Sequence, residues 1–172
     1  TFAAASLLTV SAGVMAATNG TSGATSSGSS DITLTIANVI QISNMPDFTF
    51  AYNGAGSALS ITEPACVYTN VTAGTFDVSA TGTRTGDGGA GNGFIIDDNA
   101  AGTTNTIAYT VSVNGNALTA GAAAVSIGGA DTTSATCANT MSSITVAMAE
   151  GDVQSVPAGS YDGTVNITVA AQ

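Results

Sequence analysis

Histidine, lysine and tryptophan do not occur in this chain, and Arg84 is its only basic side chain. Each absence removes a class of chemistry. Without histidine there is no Ser-His-Asp or Cys-His nucleophile and no imidazole ligand for zinc; without lysine there is no Schiff base and no P-loop cation. One cation against eleven acids leaves a net charge of −10. Nucleic-acid binding requires Lys or Arg to neutralise phosphates, and attraction to anionic lipid requires the same residues, so both are excluded. Paired carboxylates alone can support glycoside hydrolysis. With 5% aromatic residues, however, a sugar-stacking cleft would be poorly furnished, and the chain reads as non-enzymatic, with no cofactor and no metal.

Charge of either sign is scarce: 7% of residues, against about a quarter in ordinary domains. Gly, Ala, Ser, Thr and Asn take the surface positions, a texture typical of secreted and fibrous proteins. Low charge with many glycines also suits disorder, but 44% hydrophobic residues in β-branched alternation are enough to bury a core. The length of 172 residues suits one domain with a tail or leader. Cys66 and Cys137 are the only cysteines. Pairing them in an exported chain closes a loop of about 70 residues, worth roughly 4 kcal/mol in the chain-entropy model. Two buried thiols are the alternative.

The segment from Phe2 to Ala17 is apolar, uncharged and rich in small residues. It is too short to span a bilayer and fits the apolar region of a signal peptide, with cleavage expected after Ala16. Residues 1–16 are therefore read as a leader remnant, and 17–30, almost wholly Gly, Ser, Thr and Asn, as a flexible linker.

From Asp31 the pattern changes. Ile32, Leu34 and Ile36 alternate with Thr33 and Thr35, and Val39, Ile40 and Ile42 follow. Similar short runs recur: 48–52, 59–61, 66–68, 76–80, 94–96, 107–113, 144–148 and 161–169. Asn114-Gly115 and the glycines from Gly86 to Gly93 carry turn chemistry. Only the alanine-rich stretch from Ala117 to Val125 suggests a helical turn, and Gly121 interrupts it. The spacing predicts an all-β fold, an immunoglobulin-like β-sandwich. In the last run Tyr161, Gly163, Val165, Ile167 and Val169 share one face. With the sequence stopping at Gln172, the expectation is a sandwich short of its final strand.

The run of segments resembles the subunits of chaperone–usher pili, especially the archaic class and the spore coat U domain proteins. The resemblance spans Asp31 to Val169 and is carried by Ile32-Thr-Leu-Thr-Ile36, Phe48-Thr-Phe50, Ala65-Cys-Val-Tyr-Thr-Asn70 leading into Phe76-Asp-Val-Ser-Ala-Thr-Gly82, Ile107-Ala-Tyr-Thr-Val-Ser-Val113, and Pro157-Ala-Gly-Ser-Tyr-Asp-Gly-Thr-Val-Asn-Ile-Thr-Val169. Many such subunits place a cysteine in or near the first strand, whereas here the cysteines are Cys66 and Cys137, so the bridge does not follow from the family.

The resemblance implies a pilin: an incomplete sandwich (residues 39–172) completed by a strand donated from a neighbouring subunit (from residues 31–38). The expected donor residues are Ile32, Leu34, Ile36, Val39, Ile40 and Ile42; the expected acceptor residues are Tyr161, Val165, Ile167 and Val169. Ile32 to Ile42 as the first strand of the chain's own sandwich is the alternative, with a division near Asn38 also open; Phe2 to Val14 is a further donor candidate. Implied partners are identical subunits, a periplasmic chaperone and an outer-membrane usher, with the filament outside the cell, for adhesion or biofilm formation, and no membrane insertion of the mature protein. A monomeric secreted or coat-type binding module with a closed sandwich is the competing function. Asp97-Asp98 near Asp87 reads as an acidic turn rather than a calcium loop, since the spacing fits no known calcium motif.

Overall fold

Period-two alternation of β-branched residues dictates sheets, and sheets are what the chain builds. The computed structural model describes residues 17–57, 59–84, 93–98 and 105–172. The leader expected at 1–16, with the further donor candidate Phe2 to Val14, and residues 85–92, with Asp87 and the turn glycines Gly86, Gly88, Gly89 and Gly91, lie outside the described residues. The chain divides into two compact units, Thr1–Ala37 and Asn38–Gln172.

In the first unit, the Gly/Ser/Thr stretch closes a loop: Thr18 and Ser29 exchange backbone hydrogen bonds of 3.1 Å in both directions. The alternating segment that follows was expected as a strand but has no ladder partner among the described residues. Ile32, Leu34 and Ile36 are 95%, 81% and 73% exposed. Period-two alternation specifies a strand only where an edge is available to pair with it.

The second unit is all-β, with two antiparallel sheets. One has the order β1 (Ile40–Ser43), β2 (Ser60–Thr69), β8 (Ser142–Met148), β5 (Thr106–Val113), β4 (Ile95–Asp97), with β6 (Asn116–Leu118) also paired to β5. The other has the order β7 (Val125–Ile127), β3 (Phe76–Arg84), β9 (Gly163–Ala171). A single short helix, α1 (Glu150–Gln154), precedes β9 among the described residues.

Alternation sorts each strand between core and solvent. In β5, Ile107, Tyr109, Val111 and Val113 are buried while Thr106, Ala108 and Thr110 are exposed. In β3, Phe76, Val78 and Ala80 face inward and meet Val67, Val111, Ile144 and Val146 of the opposite sheet. The β5–β6 hairpin turns on Asn114 and Gly115, whose φ angles of 49° and 77° are both positive, as a type I′ turn requires.

Several boundaries differ from the sequence pattern. Residues 59–61 and 66–68, read as separate runs, form one strand, because β2 changes partner midway: Ser60 to Ala65 pair with β8, Cys66 to Thr69 with β1. Residues 48–52 form no ladder among the described residues. Asn44, at φ 54°, ends β1, and Pro46 lacks an N–H to donate, yet Phe48 and Phe50 still pack half-buried on the core. No helix forms between Ala117 and Val125; β6 and a turn with Gly121 at φ 70° occupy that stretch.

Candidate functional site: an open side of the sandwich

β1 is one of the two edge strands of its sheet and β9 one of the two edge strands of the other, and each is paired on one side only among the described residues. The consequence shows in burial. Phe76, Val78 and Ala80 of β3 are 0%, 0% and 2% exposed. Their register partners on β9, Ala171, Val169 and Ile167, share the same face and are only half-buried. Across the sandwich, Thr69 and Val67 of β2 are 0% and 1% exposed, whereas their partners Ile40 and Ile42 on β1 are half-buried. Core-facing residues thus lose their cover on the same side of both sheets.

Hydrogen bonding follows. The N–H of Val39 donates to Oδ1 of Asn70 at 2.8 Å, and its carbonyl accepts from the Asn70 N–H at 3.3 Å. In an antiparallel pair these groups alternate sides along the strand. The N–H and C=O groups of Ile40 and Ile42 therefore lie on the edge away from β2.

The two walls run in opposite directions. The side-chain amide of Asn38 donates to the backbone carbonyl of Gln172, joining the start of one wall to the end of the other. At the far end, Phe48 and Phe50 of one wall and Tyr161 and Val165 of the other line a cavity of about 850 Å³. Tyr52 and Tyr109 line it too, so more than half of the chain's aromatic residues gather there. Burial pushes up the pKa of the Tyr109 hydroxyl. Desolvation, and then the nearby Asp98 carboxylate, push up that of Tyr161, whose hydroxyl donates to the Pro157 carbonyl at 2.8 Å.

The wall formed by β1 is braced from behind. Ser43 pairs with Cys66, and Cys66 is bonded to Cys137 with Cα atoms 5.5 Å apart. Cys137 sits in a loop organised by Asp131, which is 2% exposed. Oδ1 of Asp131 accepts from the N–H and hydroxyl of Thr133 at 2.7 and 2.8 Å and from the Ser134 N–H at 3.0 Å. Oδ2 accepts from the N–H groups of Asn139 at 3.0 Å and Thr140 at 3.2 Å. The Thr133 N–H and then its hydroxyl, with the other donors, hold this carboxyl well below the usual range.

The candidate residues divide. Ile32, Leu34 and Ile36 lie in the first unit, while Ile40 and Ile42 form β1 of the sandwich itself and Val39 flanks it, pinned to Asn70. Val165, Ile167 and Val169 are brought together on β9, and Tyr161 stands two residues before it at the cavity. Sequence reasoning missed Phe48 and Phe50 as a wall, and Asn38, Asn70 and Asp131 as braces; only Asp131-Thr-Thr-Ser134 carried a signal, an Asx-turn pattern. At the acidic turn, Asp97 is fully buried in β4 and its backbone pairs with that of Asp162, while Asp98 accepts from Asn105. No cluster of three or more metal-ligating side chains occurs among the described residues.

No protein-family model matches this chain, and no curated protein does. Among solved structures it is similar to a chain of the CsuC–CsuE chaperone–tip adhesion subunit pre-assembly complex, from archaic chaperone–usher Csu pili of Acinetobacter baumannii. The TM-score is 0.47 at 17% identity, over 79% of this chain and 40% of that one. A chain of a chaperone–tip adhesin complex active in CFA/I fimbriae biogenesis gives a TM-score of 0.46 at 18% identity, over 77% of this chain and 41% of that one. The chain thus spans about two fifths of the length of the solved chains it matches. Neither likeness is close enough to carry an argument about family or function.

Proposed function

We propose that this protein is a pilin: a structural, non-enzymatic subunit of an extracellular bacterial filament that polymerises when an apolar segment of one copy enters the open side of the next. The observation that carries the reading is the burial contrast across both edges, with Val169 and Ile167 half-buried beside fully buried Val78 and Ala80, and Ile40 and Ile42 likewise beside Thr69 and Val67. One added strand between β1 and β9 would cover both sets and use the edge groups of Ile40 and Ile42. β-Augmentation of this kind draws affinity from main-chain bonds and register from alternate side chains.

The chain carries a segment of matching pattern. Ile32, Leu34 and Ile36 repeat every second residue, as do Val165, Ile167 and Val169. Burying an exposed Ile or Leu contributes about 1.5–3 kcal/mol, so three of them supply a substantial driving force. Repeating the contact head to tail gives an open filament rather than a ring. Before assembly an apolar edge invites aggregation, which supports the need for a periplasmic chaperone and an outer-membrane usher that the family resemblance implies.

The test is electrophoresis of the exported protein in SDS, with and without boiling. A ladder that collapses only on boiling, and disappears in Leu34→Asp, is the expected result. A soluble monomer with a sharp melt and no ladder would replace this reading with a secreted module that closes its own sandwich.

A further inference from the structure

The segment that would fill the groove is tethered close to one of its walls: only Ala37 and Asn38 separate Ile36 from Val39. We propose that this short tether prevents Ile32, Leu34 and Ile36 from seating together in their own sandwich, and so favours a second copy of the chain as the occupant of the groove. The inference rests on the pilin reading and adds the reason that assembly wins over self-closure.

Folding back beside β1 makes a hairpin, and the tightest usable hairpin has a two-residue loop, here Ala37-Asn38. It sets Ile36 opposite Val39, and this fails twice. The N–H of Val39 is already given to Asn70, and its carbonyl accepts from the Asn70 N–H and, at 2.9 Å, from the Thr69 hydroxyl. Both groups point toward β2, away from the groove. Side chains fail as well, because directly opposite residues share a face. Ile36 and Leu34 would then join Val39 and Gln41 on the exposed side, rather than Ile40 and Ile42, which pack on the core. A shift of one residue is all that separates the two arrangements, and it reverses every side chain.

A three-residue loop restores the face by setting Ile36 opposite Ile40. It has to withdraw Val39 from Asn70 and Thr69, and a loop of that length places its last residue in the left-handed region. That residue is Val39, whose β-branched side chain makes positive φ an outlier. A strand arriving from another molecule has no tether at Asn38, and takes whichever register turns its apolar face inward.

One inserted residue reverses the parity. Ala37→Asn with a single Gly inserted before Asn38 creates an Asn-Gly loop, the strongest type I′ signal. Ile36 then meets Asn38, Leu34 meets Ile40, and Ile32 meets Ile42, on the face and with the edge groups that suit them. As a control, Ala37→Asn alone supplies an Asn-Asn loop, two residues that tolerate positive φ, without changing the parity and with Asn38 in place.

The three chains are compared by unboiled SDS electrophoresis and by size-exclusion chromatography. The unaltered chain and the control are expected to form the ladder; the inserted variant is expected to lose it and run as a folded, cooperatively melting monomer. A persisting ladder, or an inserted variant that neither polymerises nor folds alone, overturns the parity inference while leaving the pilin reading intact. A control that becomes monomeric also overturns it. Absence of a ladder from the unaltered chain removes the pilin reading itself.

Discussion

The side-chain amide of Asn38 donates to the backbone carbonyl of Gln172, and so links the first wall of the groove to the end of the second. Asn38 precedes β1 in one sheet and Gln172 follows β9 in the other, so this bond ties the two sheets together at one end of the open side. At the other end the walls part around the aromatic cavity of Phe48, Phe50 and Tyr161. The open side is thus fixed at one end and wide at the other.

On the pilin reading, donor and acceptor lie on different elements of one chain, so they can be disabled separately. Leu34→Asp should spoil donation and leave β9 intact; Ile167→Asp should spoil acceptance and leave residues 31–37 intact. Alone, neither variant should form a ladder. Mixed, they should give a dimer and nothing longer, because only one productive junction can form between them. Size-exclusion chromatography of the mixture checks this, and a long polymer from the mixture would show that the two residues do not act at opposite sides of one junction.

The bridge between Cys66 and Cys137 spans a sequence separation of 71 residues. Constraining a loop of that length in the unfolded chain stabilises the fold by about 4 kcal/mol in the entropic account. The double replacement Cys66→Ser with Cys137→Ser should lower the unfolding free energy by roughly 2–5 kcal/mol in urea titration. Because Cys66 pairs with Ser43, β1 should exchange its amide hydrogens faster in that variant. Unchanged exchange in β1 would mean that the bridge does not brace the groove wall.

Strand existence was largely legible, because β-branched alternation survives in the sequence wherever a strand has one wet face. The paired runs at 107–113 and 144–148 reappear as β5 and β8 within two residues at each end. What was not legible depended on partners distant in sequence. Phe48-Thr-Phe50 alternates as a strand does, and only the absence of a ladder partner keeps it out of one. Ile32 to Ile36 and Ile40 to Ile42 look alike as patterns, yet Val39, which donates to the Asn70 side chain and accepts from the Thr69 hydroxyl, assigns the second run to the sandwich. Five-residue α1 is too short to show helical periodicity. Asp131 could be suspected of a local turn, but not of holding Asn139 and Thr140 eight and nine residues away.

Gly82 of β3 lies opposite Val165 in β9, at the wide end of the groove. A Cβ built there would stand 2.1 Å from the carbonyl oxygen of Gly93 and 3.2 Å from the Tyr109 hydroxyl. The first contact is backbone and cannot be relieved by a rotamer change. Gly82→Ala should therefore cost about 1–3 kcal/mol, as overpacking does elsewhere. Urea unfolding should show a lower midpoint with an unchanged slope; a midpoint equal to that of the unaltered chain would mean that the segment bearing Gly93 moves aside freely.

Asp131 makes the fold acid-sensitive in a definite direction. Its carboxyl is held below the usual range by donors that exist only in the folded chain, from Thr133 first and then Asn139 and Ser134. In the unfolded chain it titrates near 3.9. A group whose folded pKa is the lower one adds stability in full above its unfolded pKa, and loses it as pH falls toward the folded value. The melting temperature should thus be flat with respect to this group from neutrality to about pH 4.5 and decline below about pH 4. Asp131→Asn keeps the shape of the side chain but replaces one acceptor oxygen by a donor amide facing backbone N–H groups, so it should melt lower at neutral pH. The difference between the two chains should shrink as pH drops toward 2, because protonation of this carboxyl in the unfolded chain progressively removes the stability that the substitution has already removed. Melting curves at a series of pH values in both proteins decide it: a gap that stays constant down to pH 2 would show that the Asp131 charge does not hold the 131–140 loop, whatever its hydrogen bonds.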